Sequence, residues 1–296
     1  MNRRILGIGP SRYSGTDGVI CEGVVQILGR DFSQYVVIDD QVLQSAEDFY
    51  PDDKFDYLVY SGSPWLWDQM DKSVKYKNTM LAKSLHPEAK MIFLGIGSSI
   101  YLTDFKSKNI LHSRADRNML RETFKNCTVI VRDSLARKIL NTARVNNYML
   151  PCPAWYNKLK PSTREVNVIF YHAPQTGVSS GFFTQERLAK YNKIFLDFNE
   201  KYDPEIVVCT EVEIPIAREL FGKEPHLIKT YQDTFEWCEK ADNVLSGRVH
   251  NVIPAALAGL KAGLVPVDSR GLTYTEIKTR EFDIADYTKI LTKTSK

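Results

Sequence analysis

One short segment of the 296-residue chain gathers groups able to act on an anionic substrate: Ser246-Gly247-Arg248-Val249-His250-Asn251. The apolar residues before it predict a strand ending at Leu245, Ser246-Gly247 predicts a tight turn, and a helix follows from about Val249. Backbone N–H groups at a helix start attract anions, and a guanidinium adds a planar fork of donors, so Arg248 reads as a clamp for phosphate or carboxylate. His250, two residues on, titrates near neutral pH and can give or take a proton. An isolated Arg-x-His recurs by chance and is as readily structural. The strand–turn–helix setting and the continuation Pro254-Ala255-Ala256-Leu257-Ala258-Gly259 set this one apart.

Other candidate groups also follow apolar runs. Arg132-Asp133-Ser134 comes after Thr128-Val129-Ile130-Val131. There Asp133 or Ser134 reads as a helix N-cap, and Arg132 as either a ligand contact or half of a structural ion pair. The loop from Gly7 to Gly18 is rich in glycine but lacks the G-x-G-x-x-G spacing of a dinucleotide site. It suits an acceptor-binding loop, with Asp17 as a hydroxyl partner or a helix cap. Ser61-Gly62-Ser63-Pro64-Trp65-Leu66-Trp67 and Gly95-Ile96-Gly97-Ser98-Ser99 read as two further loops, with Trp65 either stacking on a sugar ring or packed. His172, and Glu211 or Glu213, follow strands in the second half and face the cleft expected between the two halves, though each reads more readily as a surface residue than as a catalytic one. His86, His112 and His226 show no metal-ligand spacing.

Short apolar runs alternating with amphipathic stretches place these groups in an α/β protein with parallel sheets. Strands are predicted at 4–8, 35–39, 57–60, 91–95, 128–131 and 147–149, with helices at 18–28, 67–84, 116–126 and 134–141. Leu150-Pro151-Cys152-Pro153-Ala154-Trp155 then interrupts the alternation: two prolines argue against regular structure, and the polar piece 158–164 reads as a linker. The pattern resumes with strands at 166–171, 205–210, 243–245 and 262–267 and helices at 184–202, 212–221, 234–240 and 249–259, before a mixed, mainly helical tail at 273–292. Two Rossmann-like domains, 1–157 and 158–296, are expected to face each other across a cleft, with ligands at the carboxyl ends of the strands.

Composition narrows the partners. With 39 basic and 36 acidic residues the chain carries a formal charge of only +3, which argues against a dedicated nucleic-acid binder. No apolar run is long enough for a signal-peptide core or a membrane span, so a cytoplasmic location and no transmembrane segment are expected. The five cysteines are scattered and none forms a C-x-x-C pair, so neither structural zinc nor a disulfide framework is expected, and Cys127, Cys209 and Cys238 read as reduced residues in apolar surroundings. The oligomeric state is left open.

The stretch from Ser246 to Gly259, followed by Asp268-Ser269-Arg270, resembles the C-terminal signature of the polysaccharide pyruvyl transferases: S-x-R-L-H, an apolar helix ending in glycine, then a strand and D-x-R. Val129-Ile130-Val131-Arg132-Asp133-Ser134-Leu135 is similar to the family's V-x-V-R-D-x-x-S, Gly15-Thr16-Asp17-Gly18 to its glycine–aspartate turn, and Cys152-Pro153-Ala154 to its P-A segment. The likeness runs from about residue 15 to 270. Two departures stand out: Val249 replaces leucine, and Ala136-Arg137 stands where the family usually has serine.

The resemblance implies a GT-B-like fold and transfer of a pyruvyl group from phosphoenolpyruvate to a sugar acceptor, lipid-linked or polymeric, with no cofactor and no metal. It implies His250 as the catalytic acid, with Arg248 and Arg132 on phosphoenolpyruvate; Val249, Asp17 and Ser246 are further substrate-binding candidates. A second reading keeps the fold and uses a nucleotide-sugar donor, with Arg248 on the diphosphate and Glu276 as the one candidate for a ribose contact. A third, a non-catalytic binding protein, is disfavoured by the presence of the Arg248/His250 pair.

Overall fold

The computed structural model describes residues 3–38, 42–66, 74–99, 114–176, 183–276 and 284–294. Asp39, Trp67 and His112, part of the helix expected at 67–84 and part of the tail lie outside the described residues. The first sheet contains β1 (Ile5–Gly9), β2 (Gln34–Val37), β3 (Tyr57–Leu66), β4 (Lys90–Ser98), β5 (Thr128–Val131) and β6 (Tyr148–Met149). Their order is β2-β1-β3-β4-β5-β6, and every neighbouring pair is parallel. Between them run α1 (Asp17–Leu28), α2 (Val74–Leu85), α3 (Arg114–Phe124) and α4 (Ser134–Thr142). All five residues of β1 and all four of β5 are buried, which is why these strands read as unbroken apolar runs.

The second sheet contains β7 (Val166–Phe170), β8 (Glu205–Val208), β9 (His226–Leu227), β10 (Ala241–Ser246) and β11 (Ala262–Leu264), in the parallel order β11-β10-β7-β8-β9. Its helices are α5 (Gln185–Tyr202), α6 (Ile214–Phe221), α7 (Tyr231–Lys240) and α8 (Val249–Leu257). After them come the short α9 (Leu272–Thr275) and the C-terminal α10 (Ile284–Thr294). Numbered from its own first strand, this sheet has the 3-2-1-4-5 order of a Rossmann fold. The chain changes direction across the sheet between β7 and β10, and the carboxyl ends of these two strands bound the crevice in which such sheets bind ligands. Phe170 pairs in register with Ser246, and Gly247 N donates to Phe170 O at 3.0 Å, so the two strand ends are locked side by side.

Several expectations change. The segment expected as a loop after β3 continues the strand to Leu66, and Trp65, 2% exposed, packs among Phe93 and Phe124 instead of facing a ligand. Gly95 to Ser98 likewise belongs to β4. Of the two prolines expected to prevent regular structure, Pro153 opens a 3-10 turn, Pro153–Tyr156, while Pro151 lies outside any element. The edge strand β9 has only two residues, too few to show any periodicity.

The chain divides into two compact units: Met1–Arg12, Ile20–Tyr156 and Thr275–Lys296 form one, Tyr13–Val19 and Asn157–Tyr274 the other. The tail was expected in the second domain. It joins the first because Tyr287 of α10 is fully buried there, edge-on to Tyr156 at 5.2 Å and donating to Pro151 O at 2.6 Å. The loop with Asp17 was expected in the first domain. It groups with the second because Thr234 Oγ1 donates to Gly15 O, Ile228 covers Gly15, and Asn157 Nδ2 donates to Val19 O at 2.8 Å.

If α10 is integral to the first unit, truncating Tyr287 removes core. We expect Tyr287→Ala to cost about 3–5 kcal/mol and Tyr287→Phe about 1 kcal/mol, measured by urea unfolding. Wild-type stability in Tyr287→Ala would show that the tail is dispensable.

Candidate functional site

Three turns meet at the crevice between β7 and β10. The turn after β7 carries His172, the turn after β8 carries Glu213, and the turn after β10 carries Arg248. Glu213 is placed by its own sequence: Thr210 and Glu213 form a capping box around the 3-10 turn Glu211–Glu213, which leads into α6. The glutamate is fully buried, and five donors reach it. Oε1 accepts from His172 Nδ1 (2.8 Å), Ala173 N (3.1 Å) and Arg248 Nη2 (2.8 Å). Oε2 accepts from Cys209 N (3.1 Å) and Thr210 N (3.2 Å). His172 and Glu213 are thus buried and central, not the surface residues expected, whereas Glu211 is exposed. The signal for Glu213 was the spacing Thr-x-x-Glu before the apolar start of α6.

The turn after β10 forms as its sequence predicted. Ser246 Oγ accepts from Arg248 N and donates to Arg248 O, both at 2.9 Å, so this fully buried hydroxyl shapes the turn. Gly247 is required by close approach: a Cβ there would lie 2.1 Å from Tyr191 Oη and 3.0 Å from His172 Cβ. Arg248 is the N-cap of α8, and its side chain keeps 22% exposure. While Nη2 is held by Glu213, its buried Nε has no hydrogen-bond partner among the described residues. Val249 and His250 are buried in the first turn of α8.

Asp17 belongs to the same unit, and its charge acts on both Arg248 and Cys209. It does not cap α1. Ser14 Oγ does so, accepting from Asp17 N at 3.1 Å and Gly18 N at 3.3 Å. Cys209, expected in apolar surroundings, is half-buried among polar groups, with Asn251 Nδ2 3.9 Å from its sulfur. A second arginine stands nearby: Arg270 is clamped by Asp268, its Nε 2.8 Å from Oδ1 and its Nη2 2.7 Å from Oδ2, and its charge also reaches His172.

The charges order the protonation states. Burial alone would raise the pKa of Glu213, but the His172 hydrogen bond and the Arg248 charge bring it down to about 2. Burial and then Arg248 lower the pKa of His172 to about 4, against the pull of Glu213. His172 is therefore neutral at pH 7 and carries its proton on Nδ1, since an ionised carboxylate can only accept. Burial pushes the Cys209 thiol up to about 12. Burial disfavours the charged guanidinium of Arg248, but the Glu213 carboxylate and Asp17 more than offset it and keep its pKa raised.

Arg132 lies in the other unit and is fully buried. Its Nη1 is 3.8 Å from Cys152 Sγ, and a Cβ on Gly97 would lie 2.5 Å from its Nε. Beside it the buried Asp133 is the N-cap of α4 and accepts from Ala136 N (2.7 Å), Ser98 N (2.8 Å) and Ser98 Oγ (2.9 Å). Glu276, the candidate ribose contact, accepts instead from Ser134 N (2.8 Å) and Ser134 Oγ, within the first unit.

These shifts fix a pH dependence. Glu213 has a folded pKa near 2 against 4.5 unfolded, so the stability it contributes is present above pH 4.5 and is lost as pH falls through 2. His172, near 4 against 6.5, favours the folded state above pH 6.5 and loses that contribution between 6.5 and 4. Stability measured in urea should therefore fall on acidification from pH 6.5, with roughly 3 kcal/mol from Glu213 at the lower end. In His172→Asn the decline between pH 6.5 and 4 should flatten. An unchanged slope there would mean that His172 does not titrate as described.

The fold is similar to that of a UDP-GlcNAc 2-epimerase from Methanocaldococcus jannaschii, with a TM-score of 0.52, 10% identity and 98% and 99% of the two chains covered. It is also similar to a UDP-GlcNAc 2-epimerase from Neisseria meningitidis, with a TM-score of 0.50, 11% identity and 99% of each chain covered. At such identity these likenesses show the GT-B-like fold alone. No curated protein matches the chain. Residues 14–269, which include Asp17, Arg132, the turn after β10 and Asp268, match the family described as polysaccharide pyruvyl transferase, and the chain belongs to that family.

Proposed function

We propose that the protein moves a pyruvyl group from phosphoenolpyruvate to a sugar of a polysaccharide or glycan precursor, releasing phosphate. Family membership makes it an enzyme of the pyruvyl transferase kind. The observation that carries the choice of donor is the state of Arg248. Its guanidinium is held at one nitrogen by Glu213 and has a buried Nε without a partner among the described residues, on a side chain that keeps 22% exposure at the crevice of a Rossmann sheet. A compact anion bearing phosphate and carboxylate suits that fork.

In this reading Arg248 binds the donor and His250, as imidazolium, protonates its methylene carbon. The adjacent carbon becomes oxocarbenium-like, and a sugar hydroxyl attacks it. Expulsion of phosphate and attack by a second hydroxyl complete the ketal. Arg248, fixed in advance by Glu213, stabilises the negative charge that gathers on the leaving phosphate. Asp17, in the same unit, meets a hydroxyl in this reading, and Ser246 shapes the turn from which Arg248 projects, with Val249 beside it on the substrate. The buried Arg132 supports the first unit's strand ends on the acceptor side. The reaction is assigned to the cytoplasm, and no helix among the described residues is long and apolar enough to cross a membrane. A nucleotide-sugar donor fits less well, because Glu276 is engaged by Ser134.

A thermal-shift titration with phosphoenolpyruvate, alongside UDP- and GDP-sugars, tests the donor. At a hundred times its dissociation constant a ligand adds about 2.7 kcal/mol of stability. We expect that gain with phosphoenolpyruvate and its loss in Arg248→Ala. His250→Ala should bind the donor but lose transfer by roughly 10²- to 10⁴-fold. Stabilisation by a nucleotide sugar alone would replace this reading with a glycosyltransferase.

A further inference from the structure

Pyruvyl transfer as proposed needs a proton acceptor as well as a donor. Each turnover releases two hydroxyl protons: one balances the proton placed on the methylene carbon, which becomes a methyl, and the other leaves on phosphate. His250 accounts for delivery to carbon. Nothing assigned so far takes a proton from an attacking hydroxyl.

We propose, resting on the function above, that His172 is this acceptor: its Nε2 takes the hydroxyl proton while Glu213 holds Nδ1–H, once the donor's negative charge lies on Arg248. The geometry is that of an oriented base. Nδ1 is fixed at 2.8 Å from Glu213 Oε1, and none of the described residues bonds Nε2. The backbone under the ring is pinned by Tyr191 Oη, which donates to His172 O at 2.9 Å, and by the packing of Gly247 against Cβ. The side chain keeps 9% exposure. A carboxylate that fixes the tautomer and steadies the imidazolium is how a histidine is readied for general-base work. Glu213 is here a positioning residue, acting only through its neighbours.

Arg248 makes the base conditional. It donates to the same Oε1 as His172, so the guanidinium and the imidazole lie side by side. The groups acting on His172 are Glu213 from the turn after β8, Arg248 from the turn after β10, Arg270 from the turn after β11, and the neutral Tyr191 phenol from α5. Both arginines oppose its protonation. An anion bound on Arg248 screens that opposition, and the proton affinity of Nε2 rises. The acceptor hydroxyl is then deprotonated only when donor is present. The proton moves from sugar oxygen to Nε2 as the oxygen–carbon bond forms, and from Nε2 to phosphate oxygen as the carbon–oxygen bond to phosphate breaks.

The test is a pH titration of 15N-histidine-labelled protein by NMR, with and without saturating phosphoenolpyruvate. The His172 signal is identified by its absence in His172→Asn, or in His172→Gln should the first variant not fold. We expect donor to raise the proton affinity of His172 about tenfold or more. His172→Asn, which keeps a donor where Nδ1 stands, should bind phosphoenolpyruvate within about twofold of wild type, lose roughly 10²-fold in kcat, and lose the acidic limb of its pH profile. Donor binding without any change at His172, or full turnover in His172→Asn, would overturn the inference and leave the function standing. Failure of phosphoenolpyruvate to bind the wild type would overturn both.

Discussion

A carboxylate placed where no solvent reaches it is costly by several kcal/mol unless donors replace the lost water. Glu213 meets that condition with three backbone N–H groups, an imidazole and a guanidinium drawn from three turns. The constraint works in both directions. The turns after β7, β8 and β10 must come together to satisfy the charge, and the charge fixes which nitrogen of His172 is protonated and where Arg248 points. The parts of the site are thus coupled through one residue that cannot be moved without leaving a buried ion unpaired. The strand order makes the meeting possible, because β10 returns beside β7 while β8 lies on its other side.

The first unit contains a related solution with a different outcome. Arg132 and Asp133 follow β5 as Arg248 follows β10, and Asp133 also collects donors from its own helix start and from the neighbouring strand. There the guanidinium is 0% exposed, closed in by Gly97, whereas the side chain of Arg248 keeps 22%. Both arginines sit beside a carboxylate at a strand end. What separates them is the solvent access of the side chain.

The sequence made legible what depends on local pattern. The alternation of apolar runs gave the two parallel sheets, and the strand–turn–helix around Gly247 was readable because a tight turn, a polar cap and an apolar helix are all written within a dozen residues. Misreadings came where tertiary contacts decide. Trp65 follows Ser-Gly-Ser-Pro, which reads as a loop, yet the strand runs on because Phe93 and Phe124 supply a pocket for the indole. The loop carrying Asp17 precedes most of the first unit in sequence but is held to Thr234 and Ile228, more than two hundred residues later. His172 and Glu213 are 41 positions apart, and no periodicity announces a pair made only when two strand ends are juxtaposed.

The two UDP-GlcNAc 2-epimerases share this architecture at 10–11% identity, so the fold does not select the reaction. The selection lies in how the crevice is charged. The fork at Arg248 offers a compact positive site, Glu213 stays ionised beneath it, and burial, then the two arginines, keep His172 neutral. With His172 as the proposed base, a site tuned this way is poor at deprotonating a hydroxyl while empty and better at it when the proposed donor is bound. That property requires no moving part. It follows from placing a guanidinium and an imidazole on the same carboxylate oxygen, so that whatever neutralises one changes the basicity of the other.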